Sequence, residues 1–252
     1  MPDLTDKVFI ITGGNGGIGL GMAEGIAKAG GSVAIWGRNE TKNKQALKTL
    51  NQSEERVQSF ICDVTDEKQV EEAFQATVDA FGKVDSCFAN AGGAGERGLT
   101  HQIDMNNWRG VIDLNLNSVL MTFRAMTQHL LDRKAPGKLI ATSSVAALMG
   151  TGYQASYSTT KAAVVGLVRS LAVELGQHGI SANALLPGYV ESDLTEKAPQ
   201  AFKDAAQRRA CLGRVGCLED MEGVAVFLAS KSSDYMTGHA LVMDGGHTIH
   251  PL

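Results

Sequence analysis

The chain has 252 residues, 44% of them hydrophobic and 20% charged, with a formal net charge of -4. That length suits one large α/β domain over residues 1–252, with apolar content enough for a sizeable core. The negative balance gives no reason to expect nucleic acid or an anionic membrane as partner, and no apolar run is long enough to span a bilayer.

Residues 7–12, Lys-Val-Phe-Ile-Ile-Thr, form a short apolar run of the kind that makes a buried parallel strand. Gly13, Gly14, Asn15, Gly16, Gly17, Ile18 and Gly19 follow at once, then small and apolar residues at helical spacing over 20–29. Strand, glycine turn and helix are the context of a dinucleotide fingerprint: the glycines allow a tight turn, close approach of a pyrophosphate and close helix packing. Two registers fit, Gly14-x-Gly16-x-x-Gly19 and Gly13-x-x-x-Gly17-x-Gly19. The helix start then offers N–H groups and a partial positive charge to phosphates.

Further strands are predicted at 32–36, 57–61, 84–89, 138–142, 181–186 and 240–243, and helices at 39–50, 66–81, 104–131, 156–176 and 219–229. Val70, Phe74, Val78 and Phe81 place one apolar face on the second of these helices. The 104–131 helix is expected to be single, with an irregular start. Alternating strands and helices predict a doubly wound Rossmann fold, a mostly seven-stranded parallel sheet covered on both faces. Ligands of such sheets bind beyond the carboxyl ends of the strands. Gly13, Arg38, Asp63, Asn90, Ser144 and Pro187 all fall just after predicted strands, at one sheet edge.

Tyr157 and Lys161 stand four residues apart, on one helix face, with Ser144 thirteen residues upstream of the tyrosine. A free phenol has a pKa of about 10, and a lysine one turn away is expected to lower it. With a hydroxyl to hold a substrate oxygen, the set suits proton transfer at a carbonyl or alcohol. Ser143 is the alternative hydroxyl, and Asn115 could instead be a residue that kinks a helix.

Taken together these motifs resemble the short-chain dehydrogenase/reductase family in its compact single-domain form, over residues 7 to about 246. Thr12 to Gly19 looks like its cofactor turn, Asp63-Val64 like its adenine contact, and Asn90-Ala91-Gly92 like the floor of its cofactor site. Asn115, Ser144, Tyr157 and Lys161 match its catalytic tetrad. Pro187-Gly188, with Val190 and Ser192, matches the segment that holds the nicotinamide carboxamide. Ala89 departs from the pattern where many members carry Asn, and Ser192 where Thr is usual.

The resemblance implies that Tyr157 is the general acid/base, and that Lys161 lowers its pKa and binds ribose hydroxyls. Ser144 would bind the substrate oxygen, and Asn115 would hold a water that links Lys161 to solvent. Ala146, Met149, Tyr153, Gln154 and Tyr189, with Ser144 and Tyr157, would wall the substrate, under a helical flap at about 195–212. A small carbonyl or secondary alcohol substrate and a homotetramer are implied, the tetramer through the two long helices and the tail over 238–252.

An acidic residue after the second strand would favour a free ribose 2′-hydroxyl. Here Gly37-Arg38-Asn39 stands there: Gly37 leaves room and Arg38 offers a fork suited to phosphate. NADP(H) is therefore preferred, with NAD(H) possible if Arg38 is only solvated. The four cysteines form no Cys-x-x-Cys pair, and a cytoplasmic protein without signal peptide or metal is expected. His247 and His250 read as surface or interface residues. An epimerase or dehydratase that retains its cofactor, a non-enzymatic nucleotide-binding protein, and a methyltransferase on a similar sheet are the competing readings. The simple redox reading is favoured over them by the Ser144 spacing and the presence of both Tyr157 and Lys161.

Overall fold

The computed structural model describes residues 2–249 except 197, with backbone alone at 193 and 194; His250 lies outside the described residues. Among them, seven parallel strands form one sheet: β1 (Val8–Thr12), β2 (Ser32–Gly37), β3 (Val57–Ile61), β4 (Ser86–Ala89), β5 (Gly137–Thr142), β6 (Ile180–Pro187) and β7 (Ala240–Met243). The order is β3-β2-β1-β4-β5-β6-β7. The chain winds outward from β1 in one direction and then returns to β4 on its other side. The carboxyl ends of β1 and β4 therefore flank the crevice of a doubly wound sheet.

Side chains alternate across the sheet, as strand geometry requires. Ile10, Trp36, Cys87, Leu139 and Ala141 face one core, against α3 (Glu67–Phe81), α5 (Ser118–Asp132) and α6 (Ala155–Leu175). Phe9, Ile11, Ile35, Phe88 and Ile140 face the other, against α1 (Gly17–Lys28), α2 (Glu40–Leu50) and α9 (Leu218–Ala229). Burial on both faces explains why β1, β2 and β4 read as continuous apolar runs rather than alternating ones.

One boundary is corrected and two regions are defined further. The helix predicted over 104–131 runs unbroken from Met105 to Asp132, with its irregularity inside it and not at its start: α4 (Met105–Ile112) passes through a π turn (Asp113–Asn117) into α5. Asn115, fully buried in that turn, is hydrogen-bonded outward to another loop, and a π turn is how a helix admits such a residue. The 84–89 strand starts at Ser86, because the Val84 N–H goes to His129 Nε2 at 3.1 Å. The 195–212 region holds the end of α7 (Asp193–Glu196) and α8 (Gln200–Arg209), with Pro199 at the N-cap of the second.

Candidate active site

A cleft of about 440 Å3 runs along the carboxyl edge of the sheet from the β3 and β2 ends to the β6 end. Its centre is the glycine turn. Gly13 and Gly17 take φ values of +64° and +51°, in the left-handed region. A Cβ at position 19 would lie 2.4 Å from the Gly13 carbonyl oxygen and 2.5 Å from Asn90 Nδ2. Of the two registers, Gly13-x-x-x-Gly17-x-Gly19 is thus the one whose glycines the backbone demands. Gly16 caps α1 without a side chain, which leaves first-turn N–H groups for a phosphate. This bare helix start, in a cleft lined by Gly13, Asn15, Gly16, Gly17 and Ile18, fits a dinucleotide.

Thr12, which opens the cofactor-turn motif, also fixes the floor. Its Oγ1 accepts the N–H groups of Asn90 and Ala91, each at 2.9 Å, and Asn90 Nδ2 returns a bond to the Thr12 carbonyl at 3.1 Å. Asn90, Ala91 and Gly92 line the cleft as a result.

Toward β2, the lining is Trp36, Gly37, Arg38, Asn39 and Lys42, faced by Cys62 and Val64. Arg38 Nη1 lies 3.4 Å from Asp63 Oδ2, so the expected phosphate fork has a carboxylate beside it. The parallel register explains this, since Gly37 pairs with Ile61 and the two chain ends leave the sheet side by side. Burial works to raise the Asp63 pKa, but bonds from Thr65 and the Arg38 charge outweigh it and hold the carboxyl low. The other Asp63 oxygen accepts Thr65 N–H at 3.0 Å and Thr65 Oγ1 at 2.7 Å, so the carboxylate is already occupied. Asn39 caps α2, its Oδ1 accepting Lys42 N–H at 3.0 Å. Gly37 opens no room for a phosphate: the Asn15 and Asn43 amides fill that space. Lys42 escaped the sequence reading because only the first turn of α2 carries it to the cleft.

At the β5 end, Ser144 caps a short 3-10 turn (Val145–Ala147), its Oγ accepting Ala146 N–H at 3.1 Å. Ser144 also shares a hydrogen bond with the Tyr157 hydroxyl. Ser143 is buried, and its Oγ donates to the Lys161 carbonyl at 2.7 Å. That geometry separates the two serines: one is spent on the fold and the other stands beside the phenol. Lys161 is buried, donates Nζ to the Thr142 carbonyl at 2.8 Å, and lies 5.7 Å from the Tyr157 ring centroid. Burial pulls its pKa down to about 8.

The expected acidification of Tyr157 is not found in this geometry. Burial raises its pKa, and the Ser144 hydrogen bond offsets part of that. The ammonium faces the ring and is directed to Thr142, so desolvation of the phenol outweighs it. Asn115 Oδ1 accepts Gly93 N–H at 2.9 Å, while Nδ2 donates to the Gly93 carbonyl at 2.9 Å and to Thr160 Oγ1 at 3.2 Å. The side chain thus clasps the loop after Gly92.

Pro187, Gly188 and Ser192 line the cleft, whereas the Val190 side chain packs into the core and its backbone bridges to Gly216. Of the expected substrate residues, Ser144 and Tyr157 line the cleft; Ala146, Met149, Tyr153, Gln154 and Tyr189 stand outside its lining. Tyr153 is 62% exposed at φ +64°, and its carbonyl accepts Gly98 N–H at 3.0 Å. Tyr189 donates its hydroxyl to the Thr195 carbonyl at 3.2 Å and meets the Phe202 ring edge-on at 5.7 Å. Arg97 lies over Phe202 at 5.5 Å, while Arg214 is held by both oxygens of Asp220. Among the described residues, no group of three or more His, Cys, Asp or Glu side chains converges as a metal site would, and no helix is long and apolar enough to cross a membrane.

A nucleotide cleft joined to a Ser-Tyr-Lys cluster on a doubly wound sheet defines a class, and comparison with known proteins agrees with it. Residues 13–248 match the family model described as "Enoyl-(Acyl carrier protein) reductase". The 3-oxoacyl-[acyl-carrier-protein] reductase of Chlamydia pneumoniae is 34% identical, over 97% of this chain and 98% of its own. Gluconate 5-dehydrogenase of Gluconobacter oxydans is 32% identical, over 95% and 94%. The crystal structure of a putative gluconate dehydrogenase from Agrobacterium tumefaciens superposes with a TM-score of 0.91 at 31% identity, over 98% of both chains. The chain belongs to the short-chain dehydrogenase/reductase family. It is an NAD(P)-dependent oxidoreductase of the kind that acts on CH–OH and keto groups.

Proposed function

We propose that this protein moves a hydride between NADP(H) and a ketone or secondary alcohol, through one domain over 1–252 with a substrate flap at about 195–212. The reading is carried by the Tyr157 hydroxyl, bonded to Ser144 and backed by Lys161, in the same cleft as the glycine turn. The glycine turn, the Asn90–Gly92 floor and the Pro187–Ser192 segment hold the dinucleotide. When bound, it supplies or accepts the hydride. Ser144 orients the substrate oxygen and stabilises charge on it. Tyr157 gives that oxygen a proton in reduction and removes one in oxidation. Lys161, at a pKa of about 8, can pass a proton near neutrality. Asn115 keeps the cleft wall in place.

Arg38 and Lys42, both lining the adenosine end, favour a 2′-phosphate. Asp63 beside Arg38 favours the second reading, an NAD(H)-preferring enzyme of the same family. The Chlamydia and Gluconobacter relatives are named for a 3-oxoacyl group and for carbon 5 of gluconate, and both names point to a keto or hydroxyl carbon in an aliphatic chain. We assign such a substrate class here. Met105, Leu120 and Val173 on the long helices and Ile249 in the tail are exposed apolar residues suited to the contacts of a homotetramer. Free thiols, with Cys62 and Cys87 buried, suit a reducing cytoplasm.

The test is turnover of ketone and secondary alcohol panels, scored by nicotinamide absorbance with each cofactor. Tyr157→Phe should fold and bind cofactor but lose nearly all turnover. Wild-type turnover in that variant would remove the assignment of Tyr157.

A further inference from the structure

Asn43 is out of place by ordinary rules. It occupies the core face of α2 with Ala46 and Leu50, and is 2% exposed. Asparagine is a poor interior helix former, and burying its amide is unfavourable unless every part is bonded. Here it is bonded. Nδ2 donates to the Gly37 carbonyl at 3.0 Å and approaches the Phe60 carbonyl at 3.5 Å. Those two carbonyls fix the orientation of the amide, so Oδ1 must face the other way. There it accepts Asn15 Nδ2 at 2.6 Å.

This one amide joins the glycine turn, the end of β2 and the neighbouring β3. Glycine at 37 is part of the device: a Cβ there would lie 2.3 Å from Asn15 Nδ2 and 2.5 Å from Asn43 Oδ1. Asn15, Gly37 and Lys42, the residue next to Asn43, all line the adenosine end of the cleft. Asn43 itself stands behind that wall.

We propose that Asn43 is a positioning residue for the cofactor: through its bonds to Asn15 and Gly37 it holds the glycine turn and the β2 end in register for the adenosine half of the dinucleotide. The inference rests on the reading of this cleft as a nicotinamide dinucleotide site. Removing the amide leaves the Gly37 and Phe60 carbonyls and Asn15 Nδ2 without this partner, so Asn43→Leu lowers stability in either case; a purely structural asparagine would lose stability alone and leave the affinity of the folded protein unchanged.

The experiment measures Tm and the dissociation constants of NADPH, NADH and ADP-ribose, by fluorescence and calorimetry, for wild type, Asn43→Leu, Asn15→Ala and the double variant. Asn43→Leu should weaken all three ligands about tenfold, the scale of one lost hydrogen bond, in protein still folded at the assay temperature, with Tm modestly lowered. Asn15→Ala should weaken them similarly, and the double variant should be no more than about twofold worse than either single one, the signature of coupled residues. Gly37→Ala attacks the same contact from the other side and should reproduce the loss if Asn43→Leu fails to fold. Wild-type affinities in Asn43→Leu, or in a folded Gly37→Ala, would overturn the proposal, as would additive losses in the double variant. Failure of the wild type to bind any of the three ligands would instead refute the dinucleotide reading on which it rests.

Discussion

Replacing Lys161 by methionine, similar in length but uncharged, isolates the buried ammonium. Desolvation lowers its pKa from 10.5 to about 8. An unfolded chain keeps that proton up to the ordinary value, so between about pH 8 and 10.5 unfolding takes up a proton and stability rises with pH. Below pH 8 both states are protonated and the penalty of burying the charge is fully present. At pH 7 the variant escapes a penalty of about 3 kcal/mol, and leaves the Thr142 carbonyl without its donor at a cost of about 1–3 kcal/mol. Its Tm at pH 7 should therefore match or modestly exceed that of the wild type.

Between pH 7 and 9.5 the wild type should gain about 2 kcal/mol relative to the variant. Every other titrating group is common to both proteins and cancels, and Tyr157, with its pKa raised, stays silent in this window. Denaturant unfolding at the two pH values measures the difference. Parallel stability–pH curves would refute a buried lysine with a depressed pKa. Turnover in the variant should fall by about 10²–10⁴; a variant that keeps wild-type turnover would separate Lys161 from proton transfer altogether.

The two adjacent serines should divide in opposite ways. Ser144→Ala should lose about 1 kcal/mol with its cap to Ala146 and about a hundredfold or more in turnover. Ser143→Ala should lose about 1–3 kcal/mol of stability, because the Lys161 carbonyl loses its buried partner, and should keep more activity. The reverse pattern would exchange their roles. Arg38→Ala should weaken NADPH more than NADH in direct titration, with the gap narrowing as salt rises because the guanidinium is exposed. Equal losses for both cofactors would remove the 2′-phosphate argument.

Much of this molecule could be read from neighbours in sequence. Apolar runs ending at Thr12, Ala89 and Thr142, each followed by small or polar residues, marked strands and the edge where ligands gather. The Tyr157–Lys161 spacing put both side chains on one helical face, and the glycines after Thr12 marked the phosphate turn. All of these depend on local periodicity or on backbone sterics, which a chain carries with it before it folds. The class of enzyme followed from such local patterns taken in order.

What only the tertiary structure decided involves groups far apart in the chain. Arg38 meets Asp63 because parallel strands deliver their ends to the same place. Asn115 clasps Gly93 because that loop lies against its π turn, and Thr12 becomes the anchor of Asn90 and Ala91 across the β1–β4 crevice. Asn43 shows its purpose only when Asn15 and Gly37 are folded over it. The direction of the Tyr157 shift belongs here as well. Spacing places an ammonium on the same helix face, but the balance between its charge and the loss of water around the phenol exists only after the core has closed.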